Sequence, residues 1–424
     1  MSPAEKLAPG APAPEDFIPL LVPEIRGNEW KYVKECLDTN WVSSGGSYVD
    51  RFEKMVAEQA STKYAIATVN GTAALHIALL LAGVQADDEV VVSSLTFIAP
   101  ANAIRYLSAW PVFIDAEPMY WQINPAGVVD FLDEDCRWNG KELRNSRTGR
   151  RVKAILPVHI LGHPADLDPI LEVAAKYSLP VIEDATEGLG TRYRGKSLGS
   201  LGHVGCFSFN GNKIITTGGG GMLVTDNPEW AARARYLTTQ AKDDPIEYVH
   251  NAVGYNYRLT NLLAAMGCAQ MEQLDIFVEA KRQIARRYQE SLVSLPGIRL
   301  PEEADWAFST FWMYTVLIDE KESHIDSRQL LRELATKKIQ ARPLWQPIHR
   351  SPAHRLSGSP ACPNSDAVYG QAISLPCSVG LTPSDQSRVI EIITNLLAKP
   401  DGHGKVIQDD GSAPLSTSTA PHRH

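Results

Sequence analysis

The sequence predicts an α/β protein: a mostly parallel sheet covered by helices on both faces, with a smaller C-terminal α+β region after it. Three observations lead there. Short continuous apolar runs recur, among them Tyr64–Val69, Glu89–Ser93, Pro111–Asp115 and Lys153–Val158. Helical stretches alternate with them, which is the pattern of a sheet buried on both faces. From Thr260 onward the chain turns strongly helical through Leu292 and then becomes mixed.

In chain order, Asn28 to Leu37 reads as a helix with Trp30, Val33 and Leu37 on one face. The strand at Tyr64–Val69 leads through Asn70-Gly71-Thr72 into a helix over 72–81 that is apolar almost all round. A helix over 99–107 separates the next two strands, and the strand at Lys153–Val158 follows. Asp168-Pro169 opens another helix, with Asp168 as its cap and proline in the first turn. Leu179–Asp184, Gly205–Phe209 and Gly221–Thr225 complete the strand set. Beyond Leu292, Trp312–Ile318 reads as extended, with helices near 327–336 and 383–397. The chain therefore divides into a low-complexity, disordered segment (1–17), a large domain (18–274), a small domain (275–399) and a disordered polar tail (400–424).

Composition excludes several classes. Of the 424 residues, 44% are hydrophobic and 21% charged, an ordinary globular balance. The net charge is −8 with no basic stripe, which argues against a nucleic-acid partner. Cys36, Cys136, Cys206, Cys268, Cys362 and Cys377 are scattered without metal-ligand spacing and read as reduced thiols. The run from Ala73 to Gly83 is too short to span a bilayer, and the Pro/Ala-rich start lacks an apolar signal core. A cytoplasmic location, no membrane partner and no metal are expected.

The chemistry centres on Lys213. It follows an apolar strand and a glycine turn and precedes four glycines, Gly218 to Gly221. Asp184 ends an upstream strand at the carboxyl edge of the sheet, where open α/β sheets bind ligands. A strand-end carboxylate and a lysine in a glycine-rich loop suit pyridoxal phosphate, the lysine forming a Schiff base and the carboxylate facing the pyridine nitrogen. Gly71 and Thr72 at a helix start offer free N–H groups and a hydroxyl to an anion. Ser208 stands five residues before the lysine, within reach of the same phosphate or bonded only to backbone. Phe97 is a core aromatic or a ring that stacks on the cofactor, His159 a core or a cofactor-facing histidine, and His76 belongs to the core. No Gly-Lys-Ser/Thr is present at Lys213, so a P-loop is excluded.

Asn70-Gly-Thr-Ala-Ala-Leu, Glu183-Asp-Ala-Thr-Glu187, Phe207-Ser-Phe-Asn-Gly-Asn-Lys213 and Gly254-Tyr-Asn-Tyr-Arg258 occur in one order and spacing. In this the chain resembles the DegT/DnrJ/EryC1/StrS sugar aminotransferases, fold type I enzymes that use pyridoxal 5′-phosphate, from about Ile18 to Leu397. The resemblance implies Lys213 as Schiff-base lysine and proton carrier and Asp184 as partner of the pyridine nitrogen. It places Gly71, Thr72, Ala73 and Ser208 at the phosphate, Phe97 on the ring, and Glu187 near the cofactor O3′, where many members carry Gln. Asn256 would reach the phosphate of a neighbouring subunit, making a homodimer with shared sites.

Trp41-Val-Ser-Ser-Gly-Gly and Arg342-Pro-Leu-Trp-Gln-Pro-Ile-His349 look most like the legionaminic and bacillosamine branch. That branch aminates C4 of a UDP-linked 2-acetamido-4-keto-6-deoxy hexose with L-glutamate, in surface-glycan or nonulosonic acid biosynthesis. His159, Arg342, His349 and Arg26 are the candidate substrate contacts. The alternatives are a GDP-perosamine-type aminotransferase, a sugar dehydratase and a ligand-sensing homologue. Dehydratase relatives carry histidine in place of the lysine, and residues 1–17 are too short for a helix-turn-helix.

Overall fold

The computed structural model describes residues 16–244, 246–354 and 360–398. Seven strands form one sheet in the spatial order 64–68, 221–225, 204–208, 182–184, 151–156, 89–93 and 110–114. Its two ladders meet through the parallel bridges Ile155–Val181 and Val158–Asp184. Of the seven, Gly221–Thr225 runs antiparallel to its neighbours, and the other pairings are parallel. Side-chain alternation explains why the central strands carry apolar residues at successive positions: Val90 and Val92 enter one core cluster and Val91 the other, all fully buried. Both faces of the sheet are thus packed, as the continuous apolar runs predict.

A third cluster joins Ile18 to residues from Ile284 to Leu397. It is built on an antiparallel sheet ordered 298–299, 314–318, 372–375 and 342–343. The helices Ser327–Thr336 and Pro383–Leu397 cover it, the first closed by an Asp326–Gln329 capping box. This separate core supports a lobe boundary near residue 275, which we propose, with one change to the expected division. Ile18 does not open the large lobe: its N–H donates to the Lys338 carbonyl (3.0 Å) and it pairs in parallel with Ile339 in the small one.

Several local expectations are corrected. Asp168 is the first residue of its helix, and Leu167 occupies the cap without a side-chain bond. The helix Glu29–Asp38 buries Glu29 and Cys36, while Trp30 (79% exposed) and Leu37 (55%) face outward. Helices at 47–60, 125–133, 228–238 and 363–371 join those read from the sequence. Asp16, expected in the disordered start, pairs with Lys338 at 2.8 Å. The expectations for 1–15 and 399–424 fall outside the described residues.

Candidate active site

The site forms where three elements meet at the carboxyl edge of the sheet. The strand Ile182–Asp184 ends on Asp184, and its parallel neighbour Val204–Ser208 ends on Ser208, with Asp184 opposite Cys206. The helix Gly71–Leu81 starts over that edge. Asn70 caps it, its side chain accepting from the Ala73 N–H at 2.8 Å. The cap therefore occupies the Ala73 donor and leaves the Gly71 and Thr72 N–H groups at the helix start. A Cβ on Gly71 would lie 2.9 Å from Ser208 Cβ and 3.1 Å from Thr186 Cγ2, so only glycine lets helix and strand approach this closely. At Gly221 a Cβ would collide with the Asn70 carbonyl, which accounts for a glycine opposite this turn.

Lys213 lies in the loop after the strand 204–208, its N–H donating to the Asn210 carbonyl at 3.0 Å. Its Nζ is 3.5 Å from Glu187 Oε1 and 4.3 Å from the centroid of the Trp312 ring. That ring is fixed by a bond from Trp312 Nε1 to the Asn212 carbonyl, 2.8 Å. Asp184 is buried; one carboxylate oxygen accepts from Thr186 N–H at 3.1 Å. Burial pushes its pKa up, while the Thr186 bond and the charge of Lys213 pull the other way. Glu187 accepts from Leu161 N–H at 2.9 Å through its other oxygen. Its burial drives the pKa up to about 7 against the opposing pull of Lys213.

Gly71, Thr72, Phe97, Asp184, Glu187, Ser208 and Lys213 line one cavity of about 300 Å³. The hydroxyls of Thr72 and Ser208 have no hydrogen-bond partner among the described residues. Phe97 sits at the rim, 54% exposed. Open donors at a helix start, two free hydroxyls, a buried carboxylate and an amine in one cavity fit pyridoxal phosphate. Trp312, Met313 and Trp345 close the cavity from the C-terminal part. The sequence reading missed them: Trp312 registers there only as the start of a strand, and nothing local says that it faces a lysine 99 positions upstream.

The expected substrate contacts fare differently. His159 is corrected: it is fully buried, with Nε2 3.3 Å from Glu183 and Nδ1 accepting from Ala165 N–H at 3.0 Å, so both ring nitrogens are engaged beneath the sheet edge. His349 bonds Ser94 (2.7 Å) and faces Asp366 (3.4 Å), outside the cavity lining. Arg342 is exposed on a strand of the small sheet, and Arg26 pairs with Glu24 over Phe277. Neither lines the cavity. Asn256 is exposed and equally outside it, its backbone bridged to Thr239. Among the described residues no group of His, Cys, Asp and Glu is placed to hold a metal ion, and no helix is long and apolar enough to cross a membrane.

Sheet order, sheet-edge cavity and comparison with solved structures define the class: a fold type I, pyridoxal phosphate-dependent aminotransferase. The chain superposes on the crystal structure of the aminotransferase TlmJ from Streptoalloteichus hindustanus with a TM-score of 0.81 at 28% identity, covering 90% of this chain and 99% of that one. It matches DesI, solved in the presence of its TDP-sugar product, with a TM-score of 0.81 at 26% identity, covering 92% and 95%. The chain belongs to the DegT/DnrJ/EryC1/StrS aminotransferase family, whose profile matches residues 23–394. It is 40% identical over 381 residues to the GDP-perosamine synthase of Caulobacter vibrioides, covering 90% of this chain and 98% of that one. It is a sugar aminotransferase.

Proposed function

We propose that this enzyme moves an amino group from L-glutamate to C4 of a nucleotide-linked 4-keto-6-deoxy sugar, and that the nucleotide is GDP. The observation that carries the chemistry is Lys213 in one cavity with Asp184, Glu187 and the Gly71–Thr72 helix start. The nucleotide rests on the 40% identity to a GDP-perosamine synthase over almost the full length of both chains. This favours the perosamine-type reaction over the UDP-linked 2-acetamido sugar suggested by the segments around Trp41 and Arg342.

Bound in the cavity, pyridoxal phosphate supplies an electron sink for the carbon that loses or gains the amino group. The chain supplies the rest. Gly71 and Thr72 N–H groups with the Thr72 and Ser208 hydroxyls bind the phosphate. Asp184, which lines the cavity, would hold a proton on the pyridine nitrogen. Lys213 Nζ would anchor the cofactor and, when free, would take a proton from the glutamate α-carbon and later deliver one to the sugar C4. The Trp312 face steadies the ammonium between these duties, and the rings of Trp312, Trp345 and Phe97 exclude water.

Asn256, outside its own cavity, completes the phosphate site of a second copy of the chain, so the catalytic unit is a homodimer. Six free cysteines support a cytoplasmic location.

A panel of GDP-, UDP- and dTDP-linked 4-keto-6-deoxy sugars with L-glutamate tests the reading. The expected outcome is a kcat/KM at least about tenfold higher for the GDP sugar, or about 1.4 kcal/mol of discrimination. Preference for the UDP 2-acetamido sugar would restore that assignment. Turnover that survives Lys213→Ala would remove the lysine from the mechanism.

A further inference from the structure

His76 lies one helical turn beyond Thr72 on the helix Gly71–Leu81, 5% exposed. Three tyrosine rings meet it edge to face, at centroid distances of 5.8 Å (Tyr106), 4.9 Å (Tyr255) and 6.0 Å (Tyr257). Its Nδ1 is 3.3 Å from the Tyr257 hydroxyl, and its Nε2 has no partner among the described residues. Two of the three rings belong to the segment that carries Asn256, so the packing of His76 bears on where that segment sits.

Tyr255 and Tyr257 stack on each other at 5.1 Å. Their backbones are tied down: Tyr255 N–H donates to Leu237 (2.7 Å), Tyr257 N–H to Thr238 (3.1 Å), and the Tyr257 carbonyl accepts from Val69 N–H (2.8 Å). In extended chain successive side chains point to opposite sides. With both tyrosines turned in toward His76, Asn256 between them is turned out, as its exposure shows.

We propose that His76 is a positioning residue that acts across the subunit boundary: by packing Tyr255 and Tyr257, it holds Asn256 in register for the phosphate site of a second copy of this chain. The proposal rests on the shared-site reading above. Its rival is an effect within one subunit, because the helix bearing His76 also starts at Gly71 and Thr72 of its own cavity.

Mixed dimers separate the two. Combine His76→Leu subunits with Lys213→Ala subunits. The one Lys213 in the mixed dimer then belongs to the His76→Leu chain, and the Asn256 reaching it comes from a chain with His76 intact. The readout is pyridoxal phosphate retained on Lys213 after dilution, fixed with borohydride and counted by mass spectrometry.

His76→Leu homodimers are expected to bind cofactor about tenfold more weakly, the scale of one lost aromatic contact with its hydrogen bond. Mixed dimers are expected to return to within about twofold of the parent. Tyr257→Phe, which removes only the hydroxyl, should show a smaller loss with the same rescue and serves if His76→Leu does not fold. Homodimers that keep cofactor like the parent overturn the proposal. So do mixed dimers that stay weak while an Asn256→Ala/Lys213→Ala mixture recovers, which would confine His76 to its own subunit. Failure of that second mixture strikes the shared-site reading itself.

Discussion

Glu187 and Lys213 face each other across 3.5 Å at the floor of the cavity, and burial makes the acid expensive to ionise there. An acid whose pKa rises on folding from 4.5 to about 7 stabilises the folded state most when protonated. That contribution is full below about pH 4.5, falls as pH rises, and is gone above about 7. Glu187→Gln removes the dependence. Without cofactor, the variant should therefore gain on the parent between those pH values, by up to about 3 kcal/mol, and hold a level lead above them. Denaturant unfolding of both proteins at several pH values measures this, and a flat difference would mean that Glu187 ionises normally. That Lys213 and Asp184 line one cavity was legible from strand-end position and glycine spacing, which are local. His159 was not: it stands at a strand end much as Asp184 does, yet its ring turns down to Glu183, and no local signal records that turn.

At the edge of the sheet the helix Gly71–Leu81 meets the strand Val204–Ser208 at Gly71, and that close approach sets where the helix start stands over the cavity proposed to hold the phosphate. Gly71→Ala would set a methyl 2.9 Å from Ser208 Cβ, forcing the helix start away from the strand end. The expected result is a cofactor dissociation constant raised about tenfold or more, equal to about 1.4 kcal/mol, with the fold intact by circular dichroism. Unchanged binding would show that the cradle tolerates the shift. At this scale the sheet was readable because strands buried on both faces carry runs of successive apolar residues, as Val90, Val91 and Val92 do. The helix Glu29–Asp38 was readable as a helix but not in its orientation. Periodicity reveals an apolar stripe without naming what it faces, and here Trp30 and Leu37 face away from the chain's own core. Ile18 was misplaced for a related reason: pairing with Ile339, more than three hundred residues away, has no signature in the segment itself.

Across the whole molecule, large apolar side chains stand exposed in the segment leading to Asn256, at Ile246 (82%), Tyr248 (68%) and Val253 (81%), and at Tyr106 (58%) and the cavity-lining Phe97 (54%). Monomers seldom leave so many large apolar groups in water, and a second copy of the chain would cover those of the segment around Asn256. Light scattering should give a mass near twice the 46.6 kDa of one chain. Val253→Asp, three residues from Asn256, would put a charge into that contact and should shift the protein toward monomer. If the proposed shared site holds, cofactor retention should fall in parallel, because dissociation would withdraw Asn256 from the neighbouring phosphate site. The two readouts constrain each other. A variant that becomes monomeric yet keeps its cofactor would deny the shared site, whereas one that stays dimeric would place the interface elsewhere, with the exposed Trp30 and Trp41 as the next surface to charge.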